Sequence, residues 1–122
     1  MACKLYWEEE GILFSHSGTV TSQEIQEMND IMYGDQRFGS IIYQISDYTA
    51  VTENQVGVRA AKVIGTLDRT SSHWNQKKMR IAVVTTDEAF IPVVHDYFRE
   101  FEGTSWLGKI FATLEQAREW VL

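Results

Sequence analysis

Alternation opens the chain. Leu5 and Trp7 alternate with Lys4, Tyr6 and Glu8, a period of two that predicts a half-buried strand over residues 4–8. After Glu9, Glu10 and Gly11 a second strand runs from Ile12 to about Ser17, and the pair reads as a hairpin. Gly18 breaks it. Thr21-Ser22-Gln23-Glu24 then has the spacing of a capping box, in which the Thr hydroxyl accepts from the Glu24 amide while the carboxylate reaches back. Ile25, Met28 and Met32 recur at helical spacing as the buried stripe of a first helix, and Gly34 stands where a left-handed closing residue is usual.

Two later segments, SIIYQI at 40–45 and IAVV at 81–84, are apolar at nearly every position. Near-continuous hydrophobicity marks parallel strands covered on both faces, so helices are expected on two sides of a sheet. Between these strands a polar stretch reads as a loop that runs into a helix start at Thr52. Val56, Ala60, Val63 and Leu67 form the stripe of a second helix over 53–68. Gly57 and Gly65 within it each cost about 1 kcal/mol relative to Ala, which close packing against the sheet would explain. TSSHWNQKK is a polar connection. Thr85-Thr86-Asp87-Glu88 is a second capping-box pattern ahead of Phe90, Val94, Tyr97 and Phe101, a third helix in which Pro92 implies an early start with an irregular first turn. GKIF is a last strand, and Thr113 with Gln116 caps a final helix buried through Leu114, Ala117 and Val121 or Trp120. The order β-β-α-β-α-β-α-β-α predicts a single α/β domain with right-handed crossovers between parallel strands.

Composition changes the picture only by exclusion. A chain of 122 residues with 44% apolar and 23% charged residues is folded and globular, with room for one domain. The net charge of -6, with Lys77, Lys78 and Arg80 as the one local basic cluster, argues against nucleic acid as a partner. No apolar run approaches the roughly 18 residues of a membrane span, and the start MACKLYWEEE carries glutamates where a signal peptide needs an apolar core. A cytoplasmic location is the expectation. Cys3 is the sole cysteine, so no internal disulfide forms.

No constellation of catalytic, cofactor-binding or metal-binding residues assembles from the sequence. His16, His73 and His95 lack metal-ligand spacing and read as surface or packed imidazoles. Cys3 sits on the first strand, away from the carboxyl ends of the parallel strands, and reads as a buried or inert thiol. Asp47 and Asp87 follow strands and read as turn residues. Gly18 is alone, without the further glycines of a phosphate-binding loop. Trp74 and Trp106 fall in or beside loops, where they cover the core, line a ligand pocket or meet a second subunit in a homodimer.

The element order, with SGTVTSQEI opening the first helix, MRIAVVTTD before the third and KIFATLEQAREWVL at the close, resembles the STAS-like superfamily. Within it the chain is similar to the SpoIIAA-like branch, named after an anti-sigma-factor antagonist. Phe111, Glu115, Ala117, Trp120 and Leu122 match that branch's closing phrase. The resemblance implies a mixed five-stranded sheet with its first strand on an edge, about four helices, and a non-catalytic regulatory or protein-interaction role. Regulatory members carry a phosphorylatable serine in an Asp-Ser-Ser-Gly-like sequence at the start of the second helix. Here that region reads Thr52-Glu53-Asn54-Gln55. Thr52 and Gln55 make a capping box by themselves, and Glu53 places a permanent charge where a phosphate would add a transient one of about −1.5 to −2.

Ligands and partners of open α/β sheets gather at the carboxyl ends of the strands. That edge is expected to comprise Thr19 after the second strand, Ser46, Asp47, Tyr48, Thr49, Thr52 and Glu53 after the third, and Thr86 and Asp87 after the fourth. Ser46, Thr49 and Thr52 are its modifiable hydroxyls, and Tyr48 either anchors a contact or packs back on the core. Two functions follow. An interaction module meets a protein partner at this edge and has a filled interior. Alternatively, as lipid-binding relatives in the wider family imply, a small apolar, lipid-like ligand sits between helices and sheet against Val63, Phe90, Val94 and Tyr97.

Overall fold

The architecture follows from the order in which the strands are laid down. A computed structural model describes residues 3–73 and 78–122. Its strands are β1 (Cys3–Trp7), β2 (Gly11–Val20), β3 (Tyr43–Asn54), β4 (Arg80–Val84) and β5 (Leu107–Phe111), and its helices are α1 (Ser22–Tyr33), α2 (Val58–Ser71), α3 (Ile91–Arg99) and α4 (Leu114–Val121). The five strands form one sheet in sequence order, β1 antiparallel on the edge and the rest parallel. The two apolar segments lie side by side in one direction, with Ile45 opposite Ala82.

Because each parallel crossover moves one strand in the same direction, right-handed connections bring α1, α2 and α3 onto one face. Ile25, Ile64 and Val94 pack there against Val20 and Val83. The other face is covered by α4, whose Ala117 and Val121 pack on Tyr43, Ile45, Ala82 and Val84. Residues 81–84 therefore read as unbroken apolar sequence because odd positions meet three helices and even ones meet α4.

The caps at both ends form as the sequence predicts. Thr21 Oγ1 accepts from the Glu24 amide at 3.2 Å, and Thr113 Oγ1 from the Gln116 amide at 3.2 Å. Gly34 closes α1 without entering the left-handed region, at φ −78°. Residues 40–42 are not strand: a 3₁₀ turn (Gln36–Ser40), capped by Asp35 accepting from the Arg37 amide at 2.8 Å, occupies the preceding segment.

The largest departure concerns Thr52. β3 does not stop at Ile45 but continues to Asn54, because β2 continues beside it to Val20 and supplies backbone partners as far as the Val20–Asn54 pair. Thr52 is thus an exposed strand residue, and α2 starts six residues later, after Gly57. Gly18, at φ 64°, and register shifts beside it bend β2 within this extension.

The buried face of α2 is also one residue away from the expected stripe. Ala61, Ile64, Gly65 and Asp68 face inward, whereas Val63 is 47% and Leu67 42% exposed. Two apolar stripes lie side by side on this helix, and the one that wins contains a carboxylate. Gly65 is needed against α3 rather than the sheet: a Cβ there would lie 2.8 Å from the Tyr97 carbonyl oxygen. In α3, Pro92 sits in the first turn, where its missing N–H is harmless. Thr85 and Asp87 make a turn ahead of it, accepting from the Asp87 and Ala89 amides at 3.1 and 3.0 Å, so the Thr85–Glu88 pattern caps no helix.

Aromatic packing settles Trp106, which is 2% exposed and edge-on to Phe38 and Phe101. Trp74 lies outside the described residues. The N-terminal hairpin is tied to α4 by Arg118, which donates to both Glu8 oxygens at 2.8 and 2.7 Å, while the Tyr43 hydroxyl also donates to Glu8.

Candidate functional site

Neighbouring strands direct same-face residues toward the three-helix layer. Phe14 and His16 come from β2, and Gln44, Ser46 and Tyr48 from β3, in register with Phe14 opposite Ser46. Together with Asn29 of α1, Ile64 of α2 and Val94 and Tyr97 of α3, they line a partly open cavity of about 50 Å³. Phe90, Val94 and Tyr97 are among its lining residues. Val63 does not, since it points to solvent, and Ile64 takes its place.

His16 is 3% exposed and stacks on Tyr48 with ring centroids 4.4 Å apart. Tyr48 in turn packs on Phe90 at 4.8 Å, so it packs back on the core. Burial lowers the His16 pKa to about 4 against a smaller opposing pull from Asp47, and the imidazole is neutral at neutral pH. Burial likewise pushes the Tyr48 hydroxyl above its usual range. Two buried atoms among these lining residues, His16 Nδ1 and Gln44 Oε1, have no hydrogen-bond partner among the described residues. Buried polar atoms are paired as a rule, so such orphans call for an explanation.

A second polar group joins the helices behind the cavity. Asp68 of α2 is 1% exposed and accepts hydrogen bonds from the hydroxyls of Tyr33 and Tyr97, one each from the end of α1 and from α3. Burial raises the Asp68 pKa to about 6, while the two tyrosine bonds pull it the other way. Sequence reasoning missed this group. The signal was there: shifting the α2 stripe by one position gives 61, 64, 65 and 68, helical spacing that ends on a carboxylate.

At the carboxyl ends of the strands, pairing of Asp47 with Val84 brings residues 47–49 beside 85–87. Asp47 Oδ1 accepts from the Thr49 amide at 2.9 Å and from its hydroxyl at 2.7 Å, an Asx turn in kind. Thr49, Thr86 and Asp87 are exposed, whereas Ser46 is buried. Thr19, Thr52 and Glu53 lie farther out, on the extension of β2 and β3 beyond β4, where the Thr19 hydroxyl donates to Glu53 at 3.3 Å.

Cys3 is nearer this end than its sequence position implies, because the antiparallel hairpin sets it opposite His16. Burial, aided by Glu24, pushes its thiol up to about 11, so it carries no thiolate at neutral pH. His73 and His95 are exposed. Among the described residues no cluster of His, Cys, Asp and Glu has the makings of a metal site, and no helix is long and apolar enough to cross a membrane.

Among solved structures, the anti-sigma factor antagonist SpoIIAA in its unphosphorylated form is similar to this chain with a TM-score of 0.63 at 15% identity, over 98% of this chain and 97% of that one. The fold is SpoIIAA-like. A protein of the DUF3478 family from Shewanella loihica PV-4, described as having a SpoIIAA-like fold, is similar with a TM-score of 0.55 at 18% identity, over 99% of this chain and 93% of that one. No family model and no curated protein matches the chain.

Proposed function

We propose that the chain is a non-catalytic regulatory module, working in the cytoplasm, that meets a protein partner at the carboxyl-terminal edge of its sheet. The observation that supports this reading most is the convergence at one edge of residues 47–49 and 85–87, flanked by the projecting β2–β3 extension. The fold shared with an anti-sigma factor antagonist points the same way. Asp47, Glu53, Asp87 and Glu88 make the edge acidic, so a complementary partner presents a basic surface. Ser46 is buried, which leaves Thr49 and Thr52 as the exposed hydroxyls of β3 at this edge.

Site-specific photo-crosslinking in the cells that make the protein tests this. A crosslinker at Thr49 or Thr86 is expected to yield one discrete protein adduct that weakens with Glu53→Lys plus Glu88→Lys, while a crosslinker at the exposed Glu115 on α4 yields none. Adducts from α4 alone, or from no position, would reject the edge.

The cavity favours a second reading, a small-ligand site. Its volume of about 50 Å³ is well below that of the apolar cavity of about 150 Å³ that takes benzene. Its occupant is therefore small.

A further inference from the structure

The cavity combines two features. Most of its wall is apolar, contributed by residues such as Met28, Ile64, Phe90 and Val94, yet one wall carries His16, Gln44 and Ser46 on neighbouring strands. Of these, His16 is 97% and Gln44 95% buried, and each has an atom without a protein partner among the described residues. Gln44 Oε1 is an acceptor only. A neutral imidazole offers one donor and one acceptor, whichever tautomer it holds. None of the lining residues is an Asp, Glu, Lys or Arg, so a charged guest would lose its hydration without gaining a counter-charge.

We propose that this cavity binds a small uncharged molecule carrying a hydrogen-bond-donating N–H or O–H, of the carboxamide or alcohol class, with Gln44 Oε1 accepting from it and His16 completing its hydrogen bonds. The proposal deepens the small-ligand reading and does not depend on the protein-binding edge. At about 50 Å³ the cavity is well below the apolar cavity of about 150 Å³ that takes benzene, which limits the buried part of the guest to a few heavy atoms. Its body lies against the apolar residues and its head against the strand wall.

Acetamide, acetate and acetone have the same four-heavy-atom shape and differ in the property at issue: neutral donor, anion, and neutral acceptor without a donor. Methyl NMR of the full chain titrated with each probe separates them. Acetamide is expected to shift Met28, Ile64 and Val94 saturably while leaving Val121, across the sheet, unchanged. Its affinity should exceed that of acetate and acetone by about tenfold or more, the usual consequence of leaving a buried acceptor unpaired. Gln44→Met, nearly isosteric, should erase the preference for acetamide over acetone. If acetone binds as well as acetamide, the donor requirement is wrong and the small-ligand reading survives. If none of the three probes moves the cavity methyls, both fall.

Discussion

Asp68 and His16 are buried groups whose protonation couples to folding in the acid range, and they act in opposite senses. Asp68, raised from 3.8 to about 6, holds a proton in the folded state that the unfolded chain has already released. Its stabilisation is complete below pH 3.8 and is lost as pH rises through about 6. His16, lowered from 6.5 to about 4, refuses a proton that the unfolded chain takes up, so stability is lost as pH falls from 6.5 toward 4. Between pH 4.5 and 7 each effect amounts to roughly 2 kcal/mol, and in the wild type they largely offset each other. Urea denaturation should expose them. Relative to wild type, Asp68→Asn is expected to gain stability as pH rises from 4.5 to 7, and His16→Gln to gain as pH falls over the same interval. Parallel pH profiles for the wild type and both variants would refute the coupling. The sequence offered Asp68 only as the end of one of two competing α2 stripes and gave His16 no mark of its role; the packing of three helices on the sheet removes both from water.

Helix α3 is wedged between two glycines that belong to other elements. At Gly65 of α2 an added Cβ would sit 2.6 Å from Glu100 Cβ and 2.8 Å from the Tyr97 carbonyl oxygen, and at Gly108 of β5 it would sit 2.3 Å from the Phe98 ring. Alanine at 65 favours the helix by about 1 kcal/mol, yet the clash involves backbone that cannot yield, and overpacking typically destabilises by about 1–3 kcal/mol. Gly65→Ala is therefore expected to be net destabilising by chemical denaturation, whereas Gly39→Ala, with open space around its Cβ, is close to neutral. Equal stability of the two variants would contradict the close α2–α3 approach. At this scale the sequence is informative where structure is local: Thr21 and Thr113 cap their helices because donor and acceptor lie three residues apart. It misleads where the deciding contact is distant. Thr52 has the spacing of a cap, but β2 offers the same backbone a ladder of hydrogen bonds, and the ladder prevails.

Across the whole molecule, β3 passes from the middle of the sheet to its margin. Residues Gln44 to Asp47 are bonded between β2 and β4, whereas residues 50–54 pair with β2 alone. Amide hydrogen exchange is expected to fall off along the strand, with strong protection at 44–47 and weaker protection at 50–54, since local opening there disrupts fewer contacts. Uniform protection would mean that something else shields the extension. The sequence by itself determined the strand and helix order, the parallel pairing of the apolar segments and the caps of the first and last helices, because these rest on periodicity and on neighbours a few residues apart. Tertiary structure alone decided which stripe of α2 is buried, how far β3 runs, and that His16, Gln44 and Tyr97 border one cavity. Those outcomes depend on competition between surfaces far apart in the chain, and burial, which sets the charge of Asp68 and His16, exists only once that competition is resolved.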